Sequence, residues 1–576
     1  MWLQKYSTGP AQVRLQIRNE GRPQDAYNLR NQLTGIDYRG GTPDVTFDYD
    51  DVGNRTEMVD ATGTTTYDYD ALDRLTAVTF PGSRIVGYTY DAVGNRASVI
   101  YPGGSDSVDY EYDEAGNLVS VTDWNSDETT YDYDDAGLLE HANLANGVVG
   151  TYTYDDADRL TGIHWVKGAN TLTFVDYTLD DVGNRTQRVD GLGTHTYGYD
   201  DLYRLTSVTY PGPDDVDYTY DAVGNRQTLV DGNGTTNYGY DAADRLTSVD
   251  PPSASPVTYT WDDNGNLTAR GSDSFAWDAE DHMTSATVSS VTTTFAYNGD
   301  GLRDSLTVNS NMTTFTWDVN TSIPQVLDDE DFRYVYGLGR IAQVGADTYY
   351  YLTDGLGSTM ALADDTGALV NTYDYDVFGA ERASTGSQAN DFTFAGEQVD
   401  ESTGLQYLRA RYYDVETGGF LSGDPLTKSP NSSGHAFSFA RSNPTNLTDP
   451  TGLDPDEPIP VPAPPAGNFD DHQCFDGYDQ CLNPKSWFSK DLKRRFPGLP
   501  EWAKKESCYN EMRQCQNRVY EGEDGYFDWG AVRENIQNML KSSTIKLPLL
   551  NSIKPPPLGT AGLKALSKEG GVRTCF

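Results

Sequence analysis

Asp424 and Asp449 are two of the four aspartates that are followed directly by proline in this long acidic chain. When two carboxyl groups lie close enough to share one proton, the charge on one raises the pKa of the other, and the pair can activate a water molecule. The alternative is structural, because aspartate before proline commonly starts a turn. Taken by themselves, the two dipeptides leave both interpretations open.

The cysteines form a second chemically capable group, and all five lie beyond residue 470. Cys474 and Cys481 have the spacing Cys-x6-Cys, which recurs at Cys508 and Cys515. Seven residues make two helical turns, so each pair would share one helix face. Two antiparallel helices joined by Cys474–Cys515 and Cys481–Cys508 disulfides would indicate an oxidising destination outside the cytosol. Reduced core cysteines and a zinc site are the alternatives, although structural zinc usually uses Cys-x2-Cys.

Other catalytic and ligand-binding patterns are weak. The six histidines show no ligand spacing, and only His472 lies in the cysteine-containing region. We find no glycine-rich phosphate loop and no Ser-His-Asp or Cys-His candidate. The aspartate-rich turns do not match a calcium-binding loop. The sequence therefore predicts no cofactor and no metal, and it identifies no activity of the C-terminal region toward other molecules.

Composition indicates strands and turns rather than helices. The 576 residues include 40 tyrosines and 56 glycines, with a hydrophobic fraction of 37%. The net charge is −45, and residues 454–576 contribute only −1 of it (17 acidic, 16 basic). A field of this sign repels nucleic acid and anionic membranes, so we expect no nucleic-acid binding by the first 453 residues.

Segments that would place the chain in a membrane or a secretory route are not recognisable. No stretch of 18 apolar residues exists, so we expect no membrane-spanning helix. The first five residues, MWLQK, lack the basic and apolar regions of a signal peptide. We expect either export by another route or a chain that is the end of a longer protein.

An internal repeat dominates the chain. Its pattern is aromatic-x-aromatic-Asp-x-x-Gly/Asp-Asn/Arg-Arg/Leu, mostly at intervals of 20 to 22 residues. Its second aromatic position occurs fourteen times, at Tyr49, Tyr69, Tyr90, Tyr112, Tyr133, Tyr154, Leu179, Tyr199, Tyr220, Tyr240, Trp261, Trp277, Tyr297 and Trp317.

Each repeat is predicted to be one β-hairpin. Residues 64–69 alternate Thr and Tyr like a strand, residues 70–73 make a turn, and residues 74–80 form the return strand. Half of the turns carry Gly-Asn, as at Gly53-Asn54, and both residues tolerate the positive φ of a tight hairpin. One hairpin is marginally stable in water, so the units must stack edge to edge into a coiling sheet of roughly 28 strands.

These tandem units resemble the YD repeats of the Rhs, insecticidal-toxin C-component and teneurin families. The stretch from 349 to 453 is similar to the Rhs-associated core. Its motifs are YYLTDGLGST (350–359), YDYDVFG (373–379), FAGE (394–397), GLQYLRARYYD (404–414) and GFLSGDP (419–425). The resemblance covers about residues 25 to 453.

The resemblance implies an all-β fold: a spiralling antiparallel sheet of hairpins wound into a hollow shell, or cocoon, with the core segment as a plug. It also implies release of a variable C-terminal polypeptide by aspartyl self-cleavage after an Asp-Pro-x-Gly-Leu motif. Here the motif contains Asp449, Pro450 and Gly452, so the scissile bond would be Leu453–Asp454. The implied catalytic pair is Asp424 and Asp449, although the first motif reads DPLT and its spacing of 25 residues is longer than the family pattern.

The predicted organisation has five parts. They are an N-terminal leader or truncated remnant (1–24), the repeat shell (25–345), the core domain (346–453), a proline-rich linker (454–467) and a variable, small α-helical C-terminal domain (468–576).

The predicted function is a shell protein that encapsulates and delivers its own C-terminal domain as an effector or toxin, released by cleavage in cis. Expected partners are that cargo, a secretion apparatus and a cognate immunity protein, at a secreted or cell-surface location. The alternative is a secreted or cell-surface structural or adhesion protein, with carbohydrate binding by exposed aromatic rings and a disulfide-bonded C-terminal module.

Overall fold

The structure is a computed structural model that describes residues 24–38, 42–212, 215–425 and 435–453. These residues form antiparallel β-strands in three sheets, connected by turns and by short 3-10 segments at Pro81–Ser83, Phe394–Gly396 and Phe439–Ser442. Within these ranges there is no α-helix.

The first sheet contains 29 strands, and each strand pairs with the next one along the chain. The strands are β1 Gln24–Tyr27, β2 Leu33–Asp37, β3 Val45–Tyr49, β4 Arg55–Asp60, β5 Gly63–Tyr69, β6 Leu75–Phe80, β7 Arg84–Tyr90, β8 Arg96–Ile100, β9 Ser107–Tyr112, β10 Leu118–Thr122, β11 Glu128–Tyr133, β12 Leu139–Asn143, β13 Val148–Tyr154, β14 Leu160–Lys167, β15 Asn170–Leu179, β16 Arg185–Asp190, β17 Gly193–Tyr199, β18 Leu205–Thr209, β19 Val216–Tyr220, β20 Arg226–Asp231, β21 Gly234–Tyr240, β22 Leu246–Asp250, β23 Val257–Trp261, β24 Leu267–Arg270, β25 Asp273–Trp277, β26 Met283–Val288, β27 Val291–Tyr297, β28 Arg303–Val308 and β29 Asn311–Thr314.

Two smaller sheets follow. The second has eight strands: β30 Thr316–Asp318, β31 Gln325–Asp328, β32 Arg333–Tyr336, β33 Arg340–Val344, β34 Thr348–Thr353, β35 Thr359–Ala363, β36 Leu369–Tyr375 and β37 Glu381–Thr385. The third has four: β38 Gln398–Asp400, β39 Leu405–Leu408, β40 Arg411–Asp414 and β41 Gly419–Phe420.

The turn aspartate of each repeat organises its hairpin. The Oδ1 atom of Asp50 accepts hydrogen bonds from the backbone N–H groups of Val52 (3.0 Å), Gly53 (2.7 Å) and Asn54 (2.9 Å). Gly53 has a φ of 115°, which side chains rarely allow. Other repeats place Asp73 or its equivalent at the turn with a φ of about 60°, a conformation that aspartate tolerates.

In twelve of the fourteen repeats, the second aromatic bonds its hairpin to the previous one. The Tyr69 hydroxyl donates to the backbone oxygen of Arg55 (3.0 Å), the first residue of β4. Arg55 lies beyond the last residue pair between β4 and β5, Glu57 with Thr66, so its carbonyl needs a partner from elsewhere. The same bond, 2.5–3.1 Å long, is made by Tyr49, Tyr90, Tyr112, Tyr133, Tyr154, Tyr199, Tyr220, Trp261, Trp277, Tyr297 and Trp317.

The long sheet returns to contact later parts of the chain. Arg55 binds Asp300, 245 residues further on, and the Tyr88 hydroxyl donates to Asp318 (3.0 Å), 230 residues further on. The indole N–H of Trp165 donates to the backbone oxygen of Thr353 (2.9 Å). Buried aromatic and aliphatic side chains from all three sheets belong to one hydrophobic cluster.

For the described residues, the prediction of an all-β fold built from hairpins is confirmed. Thirteen of the fourteen predicted repeat positions end the odd-numbered strands from β3 to β27, and Trp317 lies in β30. The first aromatic of the repeat faces the core, as Tyr67 and Tyr88 show, whereas Asp48 and Asp68 between the rings are exposed.

The predicted division into domains stays a prediction. Residue 345 lies between β33 and β34 of one sheet, and the change from the first sheet to the second occurs at Phe315. The predicted linker and helical C-terminal domain lie outside the described residues. None of the segments that the structure does describe forms a helix with the length and apolar character needed to cross a bilayer.

We predict that Tyr69→Phe lowers the stability of the protein by about 1 kcal/mol, because the Arg55 carbonyl loses its donor while the ring is retained. The urea midpoint measures the change. Tyr27→Phe is the control, because the one hydrogen bond of the Tyr27 hydroxyl to a described residue is to the exposed Asp25 carboxylate, at 3.2 Å. Equal midpoints for Tyr69→Phe and the wild type would show that the bond does not hold the hairpins together.

Candidate functional site

The site is formed where residues 449–453 lie against the β39–β40 hairpin. The backbone N–H of Gly452 donates to the backbone oxygen of Asp449 (3.2 Å), which closes a four-residue turn. Asp at the first position, Pro450 at the second and Gly at the fourth is a favoured arrangement for such a turn. Asp449 is thus a turn residue, as its position before proline predicts.

Gly452 allows this turn to approach the hairpin closely. Its φ is +69°, and a Cβ atom there would lie 2.5 Å from the backbone oxygen of Leu408 and 3.1 Å from the backbone nitrogen of Arg411. The N–H of Ala410 donates to Thr451 (3.2 Å), and the Arg409 guanidinium donates to the Pro450 carbonyl. The Asp-Pro-Thr-Gly-Leu motif is therefore fixed on the hairpin by backbone contacts that exclude a larger residue at 452.

Arg411 lies between the two aspartates of the sequence prediction. Its Nη2 atom is 3.2 Å from an Asp449 carboxylate oxygen and 3.5 Å from an Asp424 carboxylate oxygen. Its Nε donates to the Gly452 carbonyl and its Nη1 to the Ala436 carbonyl (3.1 Å). The guanidinium also packs on the ring of Phe420, 3.6 Å from the centroid. One buried cation therefore joins both carboxylates and the backbone next to Leu453.

Asp449 is almost fully buried, with 1% of its surface exposed. Burial raises its pKa to about 6, and Asp424 adds to this rise, while Arg411 and the N–H groups of Leu453 and Gly452 oppose it. One carboxylate oxygen accepts the Leu453 N–H at 3.0 Å. The carboxyl group thus contacts the residue on the amino side of the predicted scissile bond, and protonation becomes accessible at mildly acidic pH.

Asp424 is held on the other side of Arg411. Its backbone N–H donates to the Ala436 carbonyl (2.9 Å), which also accepts from Arg411, and 8% of the residue is exposed. The structure therefore brings Asp424 and Asp449 to the same arginine nitrogen, although they lie 25 residues apart in sequence. The two carboxylates are bridged by a cation rather than by a shared proton.

Sequence reasoning missed Arg411 and Arg409 as members of this site. Both lie in the GLQYLRARYYD stretch, but nothing in a single sequence says which arginine of 42 cationic residues faces an aspartate. Asp454 and the four disulfide candidates, Cys474, Cys481, Cys508 and Cys515, lie outside the described residues.

A chain of Tyr–Asp hairpins that pair in sequential order, followed by two smaller sheets and a buried Asp–Arg–Asp cluster, defines a protein of the YD-repeat class. A family model described as Teneurin YD-shell matches residues 193–444, and one described as RHS Repeat matches residues 69–106, 112–149 and 133–164. The chain belongs to the Rhs, or YD-repeat, family.

The relatives are much longer proteins than the matched segments. The chain is 32% identical to the tRNA nuclease WapA of Bacillus subtilis (strain 168) over 206 residues, which are 33% of this chain and 9% of WapA. It is 36% identical to the toxin protein Tse5 of Pseudomonas aeruginosa over 106 residues, 18% of this chain and 8% of Tse5. A crystal structure of TcdB2–TccC3 aligns with a TM-score of 0.48 at 18% identity, over 75% of this chain and 29% of that one.

We predict a pH-dependent contribution of Asp449 to stability. Its raised pKa means that the folded chain binds more protons than the unfolded chain between about pH 4 and about pH 6. The contribution is therefore present at low pH and lost as the pH rises through about 6. Relative to Asp449→Asn, the wild-type melting temperature should fall between about pH 5 and about pH 7.5.

Asp156→Asn, a substitution at an exposed turn residue, serves as the matched control. A melting-temperature difference between wild type and Asp449→Asn that stays constant over this range would show that Asp449 does not hold its proton in the folded state.

Proposed function

We propose that this chain is a shell protein that delivers a C-terminal effector, residues 468–576, and releases it by hydrolysing the Leu453–Asp454 bond. The observation that carries the proposal is the buried Asp449 carboxyl group, which accepts the Leu453 N–H while sharing Arg411 with Asp424. Two carboxyl groups that reach the same peptide bond can divide the roles of acid and base.

The proposed reaction is a single hydrolysis in cis. Asp424 takes a proton from water, the resulting hydroxide attacks the Leu453 carbonyl carbon, and Asp449 donates a proton to the nitrogen of Asp454 as the C–N bond breaks. The products are a new carboxylate at Leu453 and a new amine at Asp454. Arg411 positions both carboxylates, and the turn fixed by Gly452 holds Leu453 against Asp449.

The container part of the proposal is supported by the fold and by the relatives. The described sheets place their tyrosine faces in a common core, and the long sheet returns to contact strands more than 200 residues away. The names of the relatives include nucleases and a toxin protein. The effector would then be the toxic part, with a secretion apparatus and an immunity protein as partners, at a secreted or cell-surface location.

The structure does not favour the carbohydrate-binding alternative. That function needs exposed aromatic rings, whereas the first aromatic of the repeat is buried at Phe47, Tyr67 and Tyr88, and the second is half-buried with its polar atom bonded to backbone. The other alternative is a structural or adhesive protein with a disulfide-bonded C-terminal module. The cleavage experiment distinguishes this function from delivery of an effector.

We predict that the purified wild-type chain is recovered as two fragments, one ending at Leu453 and one beginning at Asp454, and that Asp449→Asn and Asp424→Asn stay uncut. Removal of a group that acts in the transition state costs about 100-fold or more in rate. Intact mass and gel analysis give the fragment ends. Asp263→Asn, at an exposed turn, is the control and should be cut normally.

Gly452→Ala should also stay uncut, because its Cβ cannot fit beside the Leu408 carbonyl. If the wild-type chain stays full-length at every pH between about 5 and about 8, self-cleavage is contradicted and the structural alternative is favoured. Cleavage of both Asp449→Asn and Asp424→Asn would also contradict the proposed role of these aspartates in self-cleavage.

A further inference from the structure

Five repeats begin their return strand with an arginine that follows the Gly-Asn or Gly-Leu of the turn. These arginines are Arg55, Arg96, Arg185, Arg226 and Arg303. In each case the guanidinium packs on the first aromatic ring of its own or the next repeat, with a distance to the centroid of 4.5 Å at Arg55 (Tyr67), 4.9 Å at Arg96 (Tyr110), 4.1 Å at Arg185 (Tyr177), 5.0 Å at Arg226 (Tyr218) and 4.8 Å at Arg303 (Phe315). The repeat therefore presents a cation on an aromatic platform at a fixed position.

In four of these repeats the arginine binds an acceptor from a distant segment. Arg55 binds the carboxylate of Asp300, with both contacts at 2.6 Å. Arg96 binds Asp318 at 2.5 Å, and Arg303 binds Asp400 at 2.7 Å. Arg185 instead donates to two carbonyls, at residues 445 and 355. Three of these four arginines thus bind a carboxylate of the polypeptide.

Arg226 has no such acceptor among the residues that the structure describes. Only 8% of Arg226 is exposed. Its Nε atom is buried without a hydrogen-bond partner, as are those of Arg96 and Arg303, so what distinguishes Arg226 from these two is that it forms no ion pair with a carboxylate in the described segments. Its electrostatic neighbours are mainly tyrosine hydroxyls, and the Asp376 carboxylate also interacts with it electrostatically. A buried guanidinium without an anion is costly, because its desolvation is not balanced by an ion pair.

A cavity of about 70 Å³ lies beside Arg226. Its lining combines Arg226, Asn225 and His435 with aromatic rings that include Tyr240, Trp261 and Phe437. Two carboxylates also line it, and each is already bonded: Asp244 accepts a hydrogen bond from the Asn225 side chain (3.0 Å), and Asp414 pairs with Arg270 (3.0 Å). The volume exceeds by several-fold what one water molecule needs, so a carboxylate group fits. Gly418 leaves the approach open, because a Cβ there would lie 2.6 Å from the Arg226 Nη2 atom.

We propose that this cavity is a binding site for a carboxylate carried on an apolar or aromatic body, with Arg226 as its ion-pair partner. The proposal rests on the repeat itself: the same arginine on the same aromatic platform binds a carboxylate at Arg55, Arg96 and Arg303. The rings of the cavity select the apolar body, and the planar guanidinium selects a carboxylate through paired N–H donors.

The carboxylate has two conceivable sources with the same chemistry. One is a free small molecule. The other is the chain itself, since Asp454, Asp456 and Glu457 follow Leu453 directly in sequence. The site does not depend on the proposed cleavage, so its test is independent of that function.

Titration calorimetry of the full chain with phenylacetate tests the site, with phenylacetamide as the uncharged analogue and inorganic phosphate as a second anion. We expect saturable binding of phenylacetate, loss of binding in Arg226→Met, and affinity about 10-fold weaker in Arg226→Lys, which keeps the charge but not the planar donor pair. Arg159→Met is the matched control, because Arg159 pairs with Asp155 at a turn and does not line the cavity.

The triple variant Asp454→Asn, Asp456→Asn and Glu457→Gln identifies the source. Tighter phenylacetate binding in this variant assigns the cavity to the chain's own acidic residues, and unchanged binding assigns it to a free ligand. The proposal is overturned if Arg226→Met binds like the wild type, if phenylacetamide or phosphate binds as well as phenylacetate, or if neither the wild type nor the triple variant binds. If Arg226→Met does not fold, an unchanged affinity of Arg226→Lys for phenylacetate also overturns the proposal.

Discussion

The structure depends on the satisfaction of backbone carbonyls where neighbouring hairpins diverge. The first residue of each return strand lies beyond the last pair with the next strand, so its carbonyl has no partner within the sheet. The second aromatic of the next repeat donates to that carbonyl, and only tyrosine and tryptophan carry both a large ring and a donor. Two positions do not follow this rule in the described part of the chain: Leu179, at the end of the longest strand, β15, and Tyr240, at the end of β21.

The same return-strand residue explains how a strongly acidic chain forms a buried core. The arginines at this position stack on aromatic rings, and four of the five bind acceptors from segments 95 or more residues away in the described part of the chain. Ion pairs of this kind add little net stability, because desolvation offsets the attraction, but an unpaired charge would be strongly unfavourable. These ion pairs therefore mainly determine which segments of the chain contact each other, while the buried rings supply the apolar area that stabilises the fold.

Much of the local fold could be predicted from the sequence, because hairpins are determined by neighbours in the chain. The Asp50 turn, the Gly53 conformation and the inward ring of Tyr67 all follow from residues within one repeat. The meeting of Arg55 with Asp300 could not be predicted, because it depends on sheet curvature accumulated over more than ten hairpins. Likewise, the resemblance indicated Asp424 and Asp449, but Arg411 between them required the fold.

The repeat and the candidate site are physically connected through the last of these arginines. Arg303, the first residue of β28, binds Asp400 of β38 and donates to the Tyr412 hydroxyl (3.1 Å). Tyr412 directly follows Arg411 in β40, so this contact fixes the strand that carries the cation between Asp424 and Asp449. Arg303 is fully buried and its guanidinium also stacks on Tyr407 of β39. The hairpins of the long sheet therefore determine where the carboxylates lie relative to Leu453, because Arg303 of that sheet fixes the strand of the third sheet that carries Arg411.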